Sequence, residues 1–436
     1  MSRMILVFAA VLALAAPAYA QDAASHASTP DHGAMGDMDM SNMDMSDMDP
    51  MAMDMSGGLG AYGPGRDGSG TSWQPDATPH EGLTTMHGDW MLMGHLLLNG
   101  VYDWQDGPRG DDKAFVSGMA MGMAQRQIGD SGTLTLHAML SPDPFMGARG
   151  YPLLFAQGET ADGATPLIDR QHPHDLFMEL AVSYAHRMSD DDSLFVYAGL
   201  PGEPAFGPPA FMHRLSAMDS PEAPITHHWF DSTHITFGVF TAGWVHDRWK
   251  LEASRFRGRE PDEHRYDIET GALDSTAARL SWNPTDNLAL QVSWADIASP
   301  EALEPDLDET RWSASAIYTR RVGEAGWWSS TLGLARKERS DGVDTDAAFA
   351  ESAYHPNEAW TVFARAERLE TDELAPGPVA TVARLSLGAI RDWRVAEHVR
   401  FGVGALAEKD FAANALEPSY DGDPAGAMGF VRLKVD

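Results

Sequence analysis

The sequence predicts an all-β protein: an antiparallel transmembrane β-barrel of the outer-membrane type, with about sixteen strands and a disordered N-terminal tail. Three observations predict it. The chain opens with an export leader, apolar and polar residues alternate with period two from about Thr85 onward, and the connections between alternating segments are short and long by turns. These features divide the chain into a signal peptide over 1–20, a Met/Asp/Gly-rich tail over 21–84 and the barrel over 85–436.

The leader has a positive n-region at Arg3, an apolar core from Met4 to Ala16 and a small-x-small cleavage site at Ala18-Tyr19-Ala20, so the mature chain is expected to begin at Gln21. No later stretch reaches the ~18 uninterrupted apolar residues of a membrane-spanning helix. Export combined with barrel strands places the protein in the bacterial outer membrane, among its lipids.

In the tail, Asp31 to Gly70 lacks aliphatic periodicity and has too little apolar surface to offset chain entropy, which predicts disorder. Between Met35 and Met55 nine methionines stand among six aspartates: Met35, Met38, Met40, Met43, Met45, Met48, Met51, Met53 and Met55. A thioether is a neutral, soft ligand that suits Cu(I). Methionine also oxidises readily, which makes it a poor choice for an inert spacer. A plain spacer is the alternative reading of this run.

The chain has no cysteine, so neither disulfides nor thiolate metal sites are available. The formal net charge of −33 becomes −34 when Arg3 leaves with the leader, which argues against nucleic acid as a partner and favours cations.

Sixteen segments alternate as strands: about 87–101, 113–127, 133–141, 175–187, 193–200, 233–246, 248–257, 274–283, 287–296, 310–321, 326–338, 343–354, 359–369, 378–391, 397–408 and 427–435. Turns after even strands are tight, as in Gly129 to Gly132 and Asn283 to Asp286. Connections after odd strands run longer, as in Pro142 to His174 and Pro201 to Ser232. Tight turns on one rim and long loops on the other are the pattern of an outer-membrane barrel. Trp90, Trp104, Trp229, Trp244, Trp249, Trp282, Trp327, Trp328, Trp360 and Trp393 fall near strand ends and are expected in interfacial girdles. The region 339–356 is the least regular and leaves counts of fourteen or twelve open. A soluble β-sandwich is the competing fold. The chain also ends in Asp436 rather than the aromatic residue common in such barrels, although Val431, Leu433 and Val435 still alternate with Arg432 and Lys434.

Parity gives the first strands a second feature. His87, Asp89, Met91, Met93, His95 and Asn99 share one face of strand one, opposite Trp90, Leu92, Leu96 and Leu98. Met119, Met121, Met123 and Gln125 share a face of strand two, as do Thr135, His137 and Met139 of strand three. The apolar faces must meet lipid, so the Met/His faces point into the lumen. Packing filler is the alternative role for these methionines. The two longest loops carry His172 and His174, then His213, His227, His228, Asp231 and His234. Of these, His172, His174, His227 and His228 are the expected ligands, because imidazole with carboxylate suits Cu(II) or Zn(II). No GxSxG, HExxH, P-loop or paired-cysteine motif occurs, so no enzymatic activity is expected.

A cleavable leader, a tail such as Met35-Gly36-Asp37-Met38-Asp39-Met40-Ser41-Asn42-Met43-Asp44-Met45, and a C-terminal β-domain together resemble the outer-membrane copper-resistance proteins of the B type. The likeness covers layout and tail; the barrel is longer than that family suggests. It implies copper tolerance through sequestration or export, with copper ions bound as Cu(I) by preference or as Cu(II), and a periplasmic copper oxidase or carrier as a partner. The expected protein is a monomer. The alternative is a passive porin with no metal role; a soluble metal-buffering β protein is a third reading.

Overall fold

The computed structural model describes residues 56–79 and 82–435. The leader and the methionine run Met35–Met55 lie outside the described residues. Sixteen antiparallel strands close into a ring, and a short strand, Leu83–His87, joins the same sheet by pairing with the first of them. In chain order they are β1 (Trp90–Gln105), β2 (Asp112–Ile128), β3 (Gly132–Leu140), β4 (Phe177–Arg187), β5 (Asp192–Gly199), β6 (Val239–His246), β7 (Trp249–Phe256) and β8 (Ser275–Thr285). They continue as β9 (Leu288–Ile297), β10 (Glu309–Val322), β11 (Gly326–Arg339), β12 (Asp344–Asn357), β13 (Trp360–Thr371), β14 (Ala380–Ala396), β15 (Val399–Ala412) and β16 (Ala425–Val435). Each strand pairs with the next, and β1 closes the ring on β16 from Leu96↔Val435 to Gln105↔Gly426. All sixteen expected segments are strands. The region 339–356 holds β12 in full register with both neighbours, which rules out fourteen or twelve strands. The sixth strand starts at Val239 rather than 233, because Ser232–His234 instead make a buried 3₁₀ turn.

Alternation along each strand has the physical cause anticipated. In β16, Val431 and Leu433 face outward and exposed while Arg432 and Lys434 are buried. The same holds around the ring, with Val182, Leu251, Val292, Leu334 and Leu387 among the exposed outer residues. A closed sheet with a continuous apolar exterior is a surface for a bilayer, so the chain is a membrane-spanning barrel, not a β-sandwich. Trp244, Trp249, Trp282, Trp360 and Trp393 are exposed near the tight-turn rim, and Trp104 and Trp312 near the long-loop rim. Two expected girdle residues fall elsewhere: Trp229 sits on an inward-folded loop, and Trp327 faces the interior and stacks on His355 at 3.7 Å. Strand-end position alone does not tell the two faces apart.

The interior is filled. Residues 56–79, assigned by composition to the disordered tail, instead form a plug at the tight-turn end. Leu59, Tyr62 and Trp73 pack with Ala185, Phe195 and Val245 of the wall. Lys250 donates to the Thr71 carbonyl, Thr71 Oγ1 donates to Glu252 at 2.5 Å, and Asn283 Nδ2 donates to the Gln74 carbonyl at 2.8 Å. Arg66 reaches the carbonyl of Asp247, in a tight turn, at 2.7 Å. These partners are all remote in sequence, which is why local composition misses them.

From the opposite rim, the connections 141–176 and 200–238 fold inward. Leu153, Leu154 and Phe155 are wholly buried in the main apolar core. The longer loop is fixed by charge: Glu222 meets Arg384 at 2.6 Å, Arg214 meets Glu351 at 2.7 Å, and Asp219 pairs with Arg432. Arg384 also holds Asp410 at 2.7 Å and Glu408 at 3.5 Å. Replacing Arg384 by Met would strand these carboxylates without a partner, and the expected loss is about 3–5 kcal/mol. Loss of the folded form's heat-modifiable gel mobility at lower urea concentration reads it; an unchanged midpoint would show that the pairing does not hold the loop.

Candidate functional site

Strand register stacks the soft side chains of the first four strands into level rows. One row runs Met93, Met123, His137 and Ala181; the next runs His95, Met121, Met139 and Glu179. Met91 and Gln125 flank the first row and Met119 the second, all on the inner face. The parity reading of Met91, Met93, His95, Met119, Met121, Met123, His137 and Met139 therefore agrees with the structure. His87 departs from it. It ends a short strand, Leu83–His87, that hairpins onto the start of β1, and it is exposed, apart from the inward row.

These rows line a cavity of about 160 Å³ between the wall, the plug and the inserted loop. Met212, His213 and Met218 of the loop close one side, and Asp67 of the plug lines another. Met139 and Met178 pack behind Met119 in a shared cluster. Parity misses Met178 because the pairing of β3 with β4 slips between Met139↔Glu179 and Leu140↔Phe177, a bulge that leaves both Met178 and Glu179 buried. Met212 and Met218 carry no periodic signal, since they enter through a loop fold rather than a strand. Burial pushes the His213 imidazole down to about 4, with the neighbouring His95 adding to the shift. A neutral ring is the ligating form.

The loop histidines form a second, separate cluster. His172, His174, His227, His228 and His234 converge from both inserted connections, with ring centroids 5.2–6.4 Å apart for neighbouring pairs. His174 Nδ1 lies 2.8 Å from Asp143, His227 Nδ1 2.8 Å from Asp231, and His234 Nδ1 2.6 Å from the Asp231 carbonyl. His172 and His228 face Glu159 and Glu260, each at 3.6 Å. Gly158 has φ 95°, and a Cβ there would stand 2.8 Å from His228 Cε1, so the left-handed glycine is what lets the loop approach the ring.

Burial is the main force holding His172, His227 and His234 below the ordinary imidazole range, and neighbouring rings add to it. Burial alone would raise Asp231, but the Arg214 guanidinium and the His227 hydrogen bond outweigh it and hold that carboxylate low. Burial drives Glu159 well above its usual value, against Arg265 and with the help of Glu260. Loop length and histidine density group His172, His174, His227 and His228 in the sequence, whereas spacing alone does not, because His172 and His174 straddle a proline and lie far along the chain from His227.

No protein-family model matches the chain, and no curated protein matches it in sequence. Among solved structures it is similar to a loop-deletion form of OmpT, an outer membrane protein of Vibrio cholerae, at 9% identity, covering 79% of this chain and 99% of that one with a TM-score of 0.47. An anion-selective porin from Comamonas acidovorans gives 9% identity, 79% and 99% coverage and a TM-score of 0.47. Salmonella typhi OmpF, solved with daunomycin, gives 11%, 80% and 100%, and 0.49. At these values the likeness is one of general barrel form.

The His213 ring should titrate near pH 4 rather than 6.5. Between those values the unfolded chain binds a proton that the folded one refuses, so this residue's contribution to stability falls as pH drops through that window. Histidine-selective NMR, assigned with His213→Gln, reads the midpoint directly; titration at the ordinary imidazole value would contradict the burial described.

Proposed function

We propose that the protein is an outer-membrane barrel that binds soft cations, Cu(I) above all, in its methionine cavity, and that it serves copper tolerance by sequestration or export. The observation that carries this reading is the distribution of methionine. β1 to β4 hold seven methionines, whereas β5 to β15 hold none. Generic filling of a barrel interior would spread them around the ring. Here they gather where three histidines and two carboxyl side chains line the same cavity, and where an uncharged thioether can accept a soft ion without adding buried charge. The run Met35–Met55 precedes the plug in the sequence, so the same ligand type occurs in both tail and barrel. A periplasmic carrier or oxidase would meet the protein at the tight-turn side. Several weak sites in succession favour passage over trapping.

A passive porin is the second reading, favoured by the sixteen-strand closure, a size at which barrels enclose aqueous channels. The plug and the loop 200–238 weigh against an open bore, because both are bonded to charged groups of the wall, the plug through the Thr71 carbonyl to Lys250 and the loop through Glu222 to Arg384.

Silver(I) titration separates the two readings. With the nine tail methionines changed to Leu, the barrel should still bind Ag(I), and adding Met93→Leu, Met121→Leu and Met123→Leu should weaken binding by at least about tenfold. Equal affinity in both variants would remove the cavity from the reading. In planar bilayers the wild type should show small conductance, rising when residues 56–79 are deleted; a large, Ag(I)-indifferent conductance in the intact protein would favour the porin.

A further inference from the structure

We infer that His174, His227 and His234 form a second metal site, distinct from the methionine cavity, that takes a borderline divalent cation of the Zn(II) or Cu(II) kind. The rings of His174 and His227 each stand 5.2 Å from that of His234, and since the nitrogens of the three rings do not all come within 4.8 Å of one another, an ion would draw the rings inward. Two imidazoles bound through Nε2 to one tetrahedral ion at about 2.0 Å place their centroids about 5 Å apart. The Nδ1 atoms are already engaged, by Asp143, by the Asp231 carboxylate and by the Asp231 carbonyl. A proton held on Nδ1 leaves the lone pair on Nε2, the arrangement by which outer carboxylates and carbonyls orient histidine ligands.

The Nε2 atoms of His174 and His234 are buried, and neither has a hydrogen-bond partner among the described residues. Buried polar atoms left unmatched cost stability, so a site that keeps two of them together is built for something else to bind. The frame is rigid. Asp231 accepts at its second oxygen from Arg214 (2.8 Å) and from the Phe211 amide (2.9 Å), and Arg214 is in turn fixed to Glu351 of the wall. The Asp143 and Asp231 carboxyl groups stand behind the rings, an outer shell that suits a dication.

No sulfur enters this set, so the chemistry differs from the cavity's. Phe211 packs against the rings of His174 and His227, while the next two residues, Met212 and His213, line the methionine cavity. One loop thus carries both sites back to back, the histidine site facing the long-loop connections. The inference does not rest on the soft-metal reading of the cavity.

Cobalt(II) titration of the full-length barrel in detergent micelles tests it. The expected result is the intense visible absorption of tetrahedral Co(II) at about one equivalent, displaced by Zn(II), abolished in His234→Gln and weakened at least about tenfold in Asp231→Asn. The Met93, Met121 and Met123 to Leu variant should keep the band while losing Ag(I), so the two sites fail or stand separately. Identical spectra in wild type and His234→Gln, with heat-modifiable mobility retained, would overturn the site. If His234→Gln loses that mobility, His174→Gln decides by the same criterion: loss of the band supports the site and an unchanged band overturns it.

Discussion

Buried charge inside the barrel is the constraint on which the rest of the structure depends. A bilayer outside turns most polar side chains of the strands inward, and the wall therefore presents Arg279, Arg311, Arg384, Arg432, Glu351 and Glu367 to an interior from which water is largely shut out. Such groups are tolerable only when partnered. The partners come from within the wall and from chain segments drawn into the lumen: Glu222, Asp219 and Arg214 from the loop 200–238, Thr71 from the plug. The inserted segments are as necessary to the wall as the wall is to them. Their inward fold then delivers Met212, His213, His227 and His234 to the positions where metal chemistry becomes possible.

The ionic ladder also explains where the methionines are absent. Around β8 to β15 the interior surface is committed to paired charges and small hydroxyl residues such as Ser313, Ser329 and Thr331. In the sector of β1 to β4 thioethers and imidazoles stand on the inner face where β8, β10, β13 and β14 carry guanidinium groups. A neutral, polarisable lining can be buried without counter-ions, so it leaves room for a cation that brings its own charge. The two kinds of sector are two solutions to one burial problem.

How much of this was legible in the sequence follows from range. The strands were, because lipid on one face imposes period two on residues a few positions apart, and this fixed the inward faces of Met91, Met93, His95, Met121 and Met139 by counting alone. Features set by contacts across hundreds of residues were not. The plug looks like disordered tail, since the partners that order Thr71, Glu252 and Lys250, lie 181 and 179 positions away. Trp229 and Trp327 look like girdle residues until the fold turns them inward. Met178 is hidden by a one-residue bulge, and His87 is exposed because its strand is a short hairpin arm rather than the start of β1.

Softness changes along the barrel. Thioethers with histidine line the cavity next to the plug, and histidines backed by carboxylates stand on the connections from the long-loop rim. A d¹⁰ monocation prefers the first set, whereas the second suits an ion that is more highly charged or has lost an electron. Phe211 stands between them, packed on two imidazoles, and its neighbours in sequence face the thioethers. On the soft-metal reading proposed above, an ion held by sulfur would have to change ligand class to proceed, and the loop 200–238 is the element the two clusters share. Arg214 and Glu222 bond that loop to the wall, so adjustment around either cluster falls to side chains rather than to removal of the loop.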